Sequence, residues 1–440
     1  MRDIALTLLL VVLLVMVLRR AAIGAYLWAW LSLMNPQRMT YGFAYSVPWA
    51  QFTAIATLAG FVFSRDRKPL PLNGGVVLLL MLWVWMTITS VFALSPAEVV
   101  WERWIFISKT FLMLLITLML LRGRPSLERL IWVVVLSIGY FGVKGGIFTL
   151  ATGGTYRVWG PPSSMLEENN ALAVALLTVL PLFYYLQHVA TRRWFKAVLL
   201  LVMLSIGASI LGSQSRGALL ALLSIAAVLG LKSRHPVRVS LFLVAVVGLG
   251  IVFMPETWSD RMNSIQSYQD DDSALSRIYT WHTLWNLAVE RPFVGGGFHS
   301  DTIAIFDRFA PPDSRYDGLR GTAWVAHSIY MQALGEHGFV GLALYLSIWI
   351  WVWVAAARVA RKASRVPPLA NWLPLLMRMC QVSVVGFCAG GFFLSLMLLD
   401  LPYYLLAFVT LGQCVLQDHQ TSAPSEAPAA AVAVPAAPPT

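Results

Sequence analysis

The chain has 440 residues, 58% of them apolar and only 12% charged, with a mean hydropathy of +0.70. A soluble protein carries about 25% charged residues, so a single aqueous core is excluded, and repeated runs of roughly 20 apolar residues make the chain polytopic. The net charge of +11 falls in short clusters between apolar runs, which argues against nucleic acid as a partner.

In chain order, apolar residues 4–18 and 21–34 flank Arg19-Arg20. The first run has the look of a signal peptide but no small-residue cleavage site, and reads as a retained membrane segment. Spans are expected at 41–63, 74–94, 104–121, 130–150, 170–187, 197–212, 217–231, 239–254, 329–357, 375–396 and 401–416, about twelve in all. Basic clusters follow every second span: Arg65-Asp66-Arg67-Lys68, then Arg122 to Arg129, Arg192-Arg193 with Lys196, Lys232 to Arg238, and Arg358 to Arg365. By the positive-inside rule these loops are cytoplasmic. The intervening loops hold Glu98, Glu102, Glu167, Glu168, Glu256, Asp260 and Asp270 to Asp272, and face outward, in a bacterial envelope toward the periplasm. The expected class is therefore all-α, a multi-pass integral membrane protein. Its parts are residues 1–254 (first transmembrane part), 255–326 (a large outward loop containing helices), 327–416 (last spans) and 417–440 (a disordered cytoplasmic tail rich in Ala, Pro and Ser).

Cys380, Cys388 and Cys414 lie in late apolar segments without metal or disulfide spacing. Within the large loop, residues 273–290 read as a helix with Ser273 capping its start. Ile278, Trp281, Trp285 and Ala288 share one face, with Thr280, Thr283 and Asn286 on others. The tryptophans suit either the lipid headgroup level or packing on the membrane domain. Pro292 ends the helix after Arg291, and Gly295-Gly296-Gly297 follows. Such glycines serve a turn or let amides approach a phosphate. The Asp270–Asp272 run reads as a solvated loop tip rather than a metal site.

Four outward-side residues carry the chemistry. Arg216, in the SQSR turn between two apolar segments, offers a planar fork matched to phosphate oxygens. Arg291 stands between helix and glycine turn. His327 joins the loop to the next span, and a neutral imidazole with a usual pKa of about 6.5 can act as a base. Arg157, in the 152–169 loop, faces outward and could assist donor or acceptor binding. His337, ten residues on, competes with His327; Glu336 reads as packing or support.

These residues carry a resemblance. His327-Ser328, nine residues, Gly338, two residues and Gly341 fit the H-[NSQ]-x9-G-x-x-[GTY] pattern of the O-antigen ligases, within the O-antigen ligase/polymerase superfamily. The SRG around Arg216 and the RPFVGGG around Arg291 are similar to that family's segments flanking its periplasmic loop. Residues 27–45 resemble the exosortase-associated O-glycosylation ligase branch. The resemblance implies twelve spans with cytoplasmic ends, whereas the charge pattern here leaves an odd count open. It also implies an inverting, metal-independent glycosyltransferase of the bacterial inner membrane, with no cofactor. An undecaprenyl-diphosphate-linked glycan would be moved to a lipid A-core sugar hydroxyl, with Arg216 and Arg291 on the diphosphate and His327 as general base. Rivals are an O-antigen polymerase, a protein O-oligosaccharyltransferase and, in another class, a lipid-linked glycan transporter. A transporter should show repeats and midplane charges; Lys109 and Lys144 are its best support.

Overall fold

A computed structural model describes residues 1–65, 67–232, 248 and 272–422. The described residues form helices joined by loops, without strands. The first part comprises α1 (Arg2–Arg19), α2 (Ala21–Met34), α3 (Trp49–Phe63), α4 (Gly74–Val91), α5 (Ala97–Leu120), α6 (Gly123–Ala151), α7 (Asn169–Val189), α8 (Arg193–Gly212) and α9 (Arg216–Lys232). The loop contributes α10 (Asp272–Glu290) and α11 (Ile303–Phe309). Then come α12 (Ile329–Ala363), the short α13 (Pro367–Ala370), α14 (Leu373–Gly391) and α15 (Asp400–Ser422).

Among the described residues seven helices are long and apolar enough to cross a membrane: α4 to α8, α12 and α14. Ala21–Met34, Trp49–Phe63 and Arg216–Gly230 are shorter apolar helices. This leaves the expected twelve unconfirmed. The expected span at 239–254, apart from Gly248, and the tail beyond Ser422 lie outside the described residues, while residues 417–422 continue α15 as helix. Residues 41–63 do not form one span. Two 3-10 turns, at Pro36–Met39 and Phe43–Tyr45, occupy the stretch before α3, where Pro48 caps the helix.

α7 lies centrally, packed by α6, α8, α9 and α14. The contact of α6 with α8 depends on small residues. A Cβ at Gly146 would lie 2.1 Å from the Ser205 carbonyl oxygen, and one at Gly142 2.6 Å from Ile206 and Leu176. Where lipid removes most of the hydrophobic drive between helices, such close backbone approach supplies the packing.

The bundle has two chemically distinct ends. Arg19-Arg20, Arg65, Arg122, Arg192-Arg193 and Arg361-Lys362 stand at one. Residues 92–96, 152–168, 213–215, 272–328 and 392–399 gather at the other, joined by hydrogen bonds such as Val158 N–H to the Gly212 carbonyl (3.1 Å) and Leu94 N–H to the Gly296 carbonyl (2.8 Å). The Asp3 carboxylate accepts from Gly42 and Ala44 N–H at this second end. α1 therefore starts opposite the end where α15 finishes, which differs from the same-side ends implied by the resemblance.

Candidate active site

At the loop-bearing end lies a cavity of about 620 Å³, lined by His327, Gln332, Glu336, His299, Asp301 and Arg103, with Glu168 from the 152–168 loop among its other walls. His327 is set by the start of α12. Ser328 caps that helix by accepting from Met331 N–H, and the His327 N–H donates to Ser395 Oγ at 2.8 Å. The histidine backbone is left-handed, at φ 44°, a conformation that costs a non-glycine residue about 1–3 kcal/mol and recurs at active sites. The ring is half-buried. Burial first, and then the charge of Arg277, hold its pKa below the ordinary histidine value, while Glu168 pulls the other way. Near neutrality the imidazole is thus in its proton-accepting form.

A second imidazole shares the cavity. His299 is also left-handed (φ 60°), and its Nδ1 lies 3.8 Å from Asp301 Oδ1. That is an ion-pair distance rather than a hydrogen bond. Asp301 raises the His299 pKa against burial and Arg103, and His299 in turn lowers that of Asp301. Gln332 Nε2 reaches Glu336 Oε1 at 3.4 Å. Among the described residues Glu336 Oε2 has no hydrogen-bond partner, and it lies 3.8 Å from His337 Nε2.

His337 is buried away from the cavity, its Nδ1 2.8 Å from Thr89 Oγ1 and its ring edge-on to Phe298. The spacing motif has a local cause here. At Gly338 α12 breaks (φ 68°, ψ −171°), which frees carbonyls one turn earlier. Gly296 and Gly297 N–H donate to Gly335 and Glu336 carbonyls at 2.8 Å each, and Trp85 Nε1 donates to the His337 carbonyl at 3.0 Å. The Gly295 N–H bonds the Arg291 carbonyl. The glycine turn therefore uses its amides to lock the broken helix, and they are not available to a phosphate.

Arg216 opens α9 half-buried, next to Gly217, which packs on Phe393 two residues from Ser395. Arg291 donates to the Phe92 carbonyl, and burial, then Arg308, lowers its pKa. Arg157 is half-buried beside Val158. All three stand at the cavity-bearing end, yet none lines the cavity around His327. Sequence reasoning missed Arg103, which does, and the His299–Asp301 pair, whose signal was an H-x-D directly after the glycine turn. Glu336, expected to pack or to support the site, lines the cavity.

The loop helix divides the Trp-bearing face and buries the threonines beside it. Tyr279, Thr280, Thr283, Leu284, Leu287 and Ala288 are buried, and Trp285 is 51% exposed. The threonine hydroxyls donate to the carbonyls of Ser276 and Tyr279 four residues back, so they pack as apolar groups. Trp281 donates to the Ala326 carbonyl at 2.8 Å and so braces the strand of chain that carries His327. Ser273 lies inside the helix, which starts at Asp272. Among the described residues no three His, Cys, Asp or Glu side chains stand together as a metal site; Asp270 and Asp271 lie outside those residues.

A multi-helix membrane protein with a polar, histidine-bearing cavity among its loops is the class so defined. Residues 199–346 match the family model described as O-antigen ligase, and residues 1–191 match one described as a family of unknown function, DUF5935. The first match takes in Arg216, Arg291, His327, Gly338 and Gly341. The chain thus carries the domain of the O-antigen ligase family, a family of enzymes of glycan transfer in polysaccharide assembly. No curated protein matches the chain.

Proposed function

We propose that this protein is an inverting, metal-independent O-antigen ligase of the bacterial inner membrane. It would move a glycan from undecaprenyl diphosphate to a lipid A-core sugar hydroxyl at the periplasmic face. The observation that carries the reading is the half-buried His327 ring, kept neutral by burial and Arg277, in a cavity that also holds Arg103. The basic collars at the other end of the bundle support the orientation, because positive loops stay cytoplasmic. The likeness of residues 27–45 supports the exosortase-associated branch.

In this mechanism His327 takes the acceptor hydroxyl proton as the oxygen attacks the anomeric carbon, and the bond to the diphosphate oxygen breaks on the opposite face. The leaving group departs as an anion, so it needs fixed positive charge more than a protonating acid. Arg216 and Arg291 hold the diphosphate, Arg291 exchanging the Phe92 carbonyl for phosphate oxygens. Arg103 adds charge from within the cavity. Arg157 contacts the donor or the acceptor glycan.

The test is transfer by purified protein from a lipid-diphosphate glycan to core lipid, free glycan and peptide. Core lipid should be the acceptor used. Elongation of glycan alone would make the protein a polymerase, transfer to peptide alone a protein glycosyltransferase, and movement of donor without transfer a transporter.

A further inference from the structure

A second cavity, of about 880 Å³, lies beside the first and shares Arg103, Ser164, Met165 and Glu167 with it. Apart from Leu399 and Asp400, its walls fall within the region matched by the family of unknown function. α5 presents Glu102, Arg103, Phe106, Lys109 and Thr110 to it, while Trp28 and Trp49 supply apolar wall from α2 and α3.

Lys109 is the pivotal group. It is the thirteenth residue of α5, about 18 Å along that helix at 1.5 Å per residue, and so well inside a span. A charge at such depth is costly and is retained where it serves a polar ligand or pathway. Among the described residues no acceptor within hydrogen-bond reach and no carboxylate within ion-pair distance meets the Lys109 ammonium. Arg103 likewise has no ion pair among them. Arg38 is held over the Tyr45 ring at 4.6 Å, and the Tyr45 hydroxyl lies 3.2 Å from Ser163 Oγ. Glu102, Glu167 and Asp400 line the same cavity, and among the described residues none of them lies within ion-pair distance of Lys109, Arg103 or Arg38. Asp400 accepts from the Thr110 hydroxyl at 3.1 Å and Glu167 from the Ser163 N–H at 2.8 Å. Three cations along a partly aromatic wall suit an anion with several acceptor oxygens attached to an apolar body.

We propose that this second cavity binds the phosphate headgroup of an amphiphile, with Lys109, Arg103 and Arg38 facing its oxygens and Trp28 and Trp49 flanking its apolar part. A headgroup seated there adjoins the His327 cavity across Arg103. Two sources share this chemistry, an isoprenoid lipid phosphate and a bilayer phospholipid.

The experiment uses the full chain in neutral detergent and measures binding of farnesyl phosphate, with farnesol as the uncharged counterpart and inorganic phosphate as the chain-free one. Farnesyl phosphate should bind at least tenfold more tightly than either. Lys109→Gln and Arg38→Gln should each weaken it about tenfold, whereas His327→Ala should not. Displacement by phosphatidylglycerol would identify the bilayer lipid as the source, and persistence against it the isoprenoid phosphate; either supports the site. Equal binding of farnesol, equal binding of inorganic phosphate, or unchanged affinity in both glutamine variants would overturn it. Because glycan transfer is not the readout, failure of the ligase reading leaves this result standing, and the reverse holds.

Discussion

Two charges act on the His327 ring in opposite senses, Arg277 lowering its pKa and Glu168 raising it, with burial the larger depressing influence. If the ring is the base, activity rises with pH as the imidazole loses its proton, so the acid limb of kcat/KM should lie below the ordinary histidine value of about 6.5. Arg277→Gln removes a cation that disfavours the imidazolium and should move the limb to higher pH. Glu168→Gln removes an anion that favours it and should move the limb lower. A pH–rate profile of the three proteins checks this, and shifts in the same direction would contradict it. His327 was legible in the sequence because histidine, loop and glycines fell at one junction. Arg103 was not, since one arginine among Glu98, Glu102 and tryptophans at a helix start gives no local sign of the cavity it will face.

At the scale of elements, α12 is two helices in one. Its first two turns carry Gln332 and Glu336 to the cavity, and the break at Gly338 lets the loop amides reach its carbonyls. A Cβ at Gly338 would sit 2.3 Å from the Phe293 carbonyl oxygen at φ 68°. Backbone strain alone is worth about 1–3 kcal/mol, and the collision adds to it. Gly338→Ala should therefore lower the thermal unfolding midpoint in detergent and reduce transfer with it; an alanine variant as stable as the parent would refute the locking role. The helical periods that define α4 to α8 were readable from apolar runs. The break was not, because a lone glycine in an apolar span reads equally as packing. The buried threonine face of α10 was hidden for a related reason: back-bonding to the helix makes a polar residue behave as an apolar one, which composition cannot register.

Over the whole molecule, charge separates the two ends more sharply than hydropathy separates the spans. The basic clusters were visible in the sequence and mark one end of the bundle. What pattern alone could not supply was how the N-terminal turns fold back, where Asp3 ties the start of α1 to the cavity-bearing end. The proposed orientation is open to labelling in whole cells. On a background lacking Cys380, Cys388 and Cys414, Thr322→Cys should react with an impermeant maleimide, and Ser364→Cys only after permeabilisation. The reverse pattern would turn the site toward the cytoplasm.

The most direct test of the catalytic reading is single-turnover transfer in proteoliposomes containing chelator, wild type against His327→Ala. Removal of a general base is worth about 10²–10⁴-fold, so the wild type should transfer glycan with chelator present and the folded, inserted alanine protein should fall by that factor. Undiminished transfer by the alanine protein, or wild-type transfer that needs added Mg²⁺ or Mn²⁺, would contradict it.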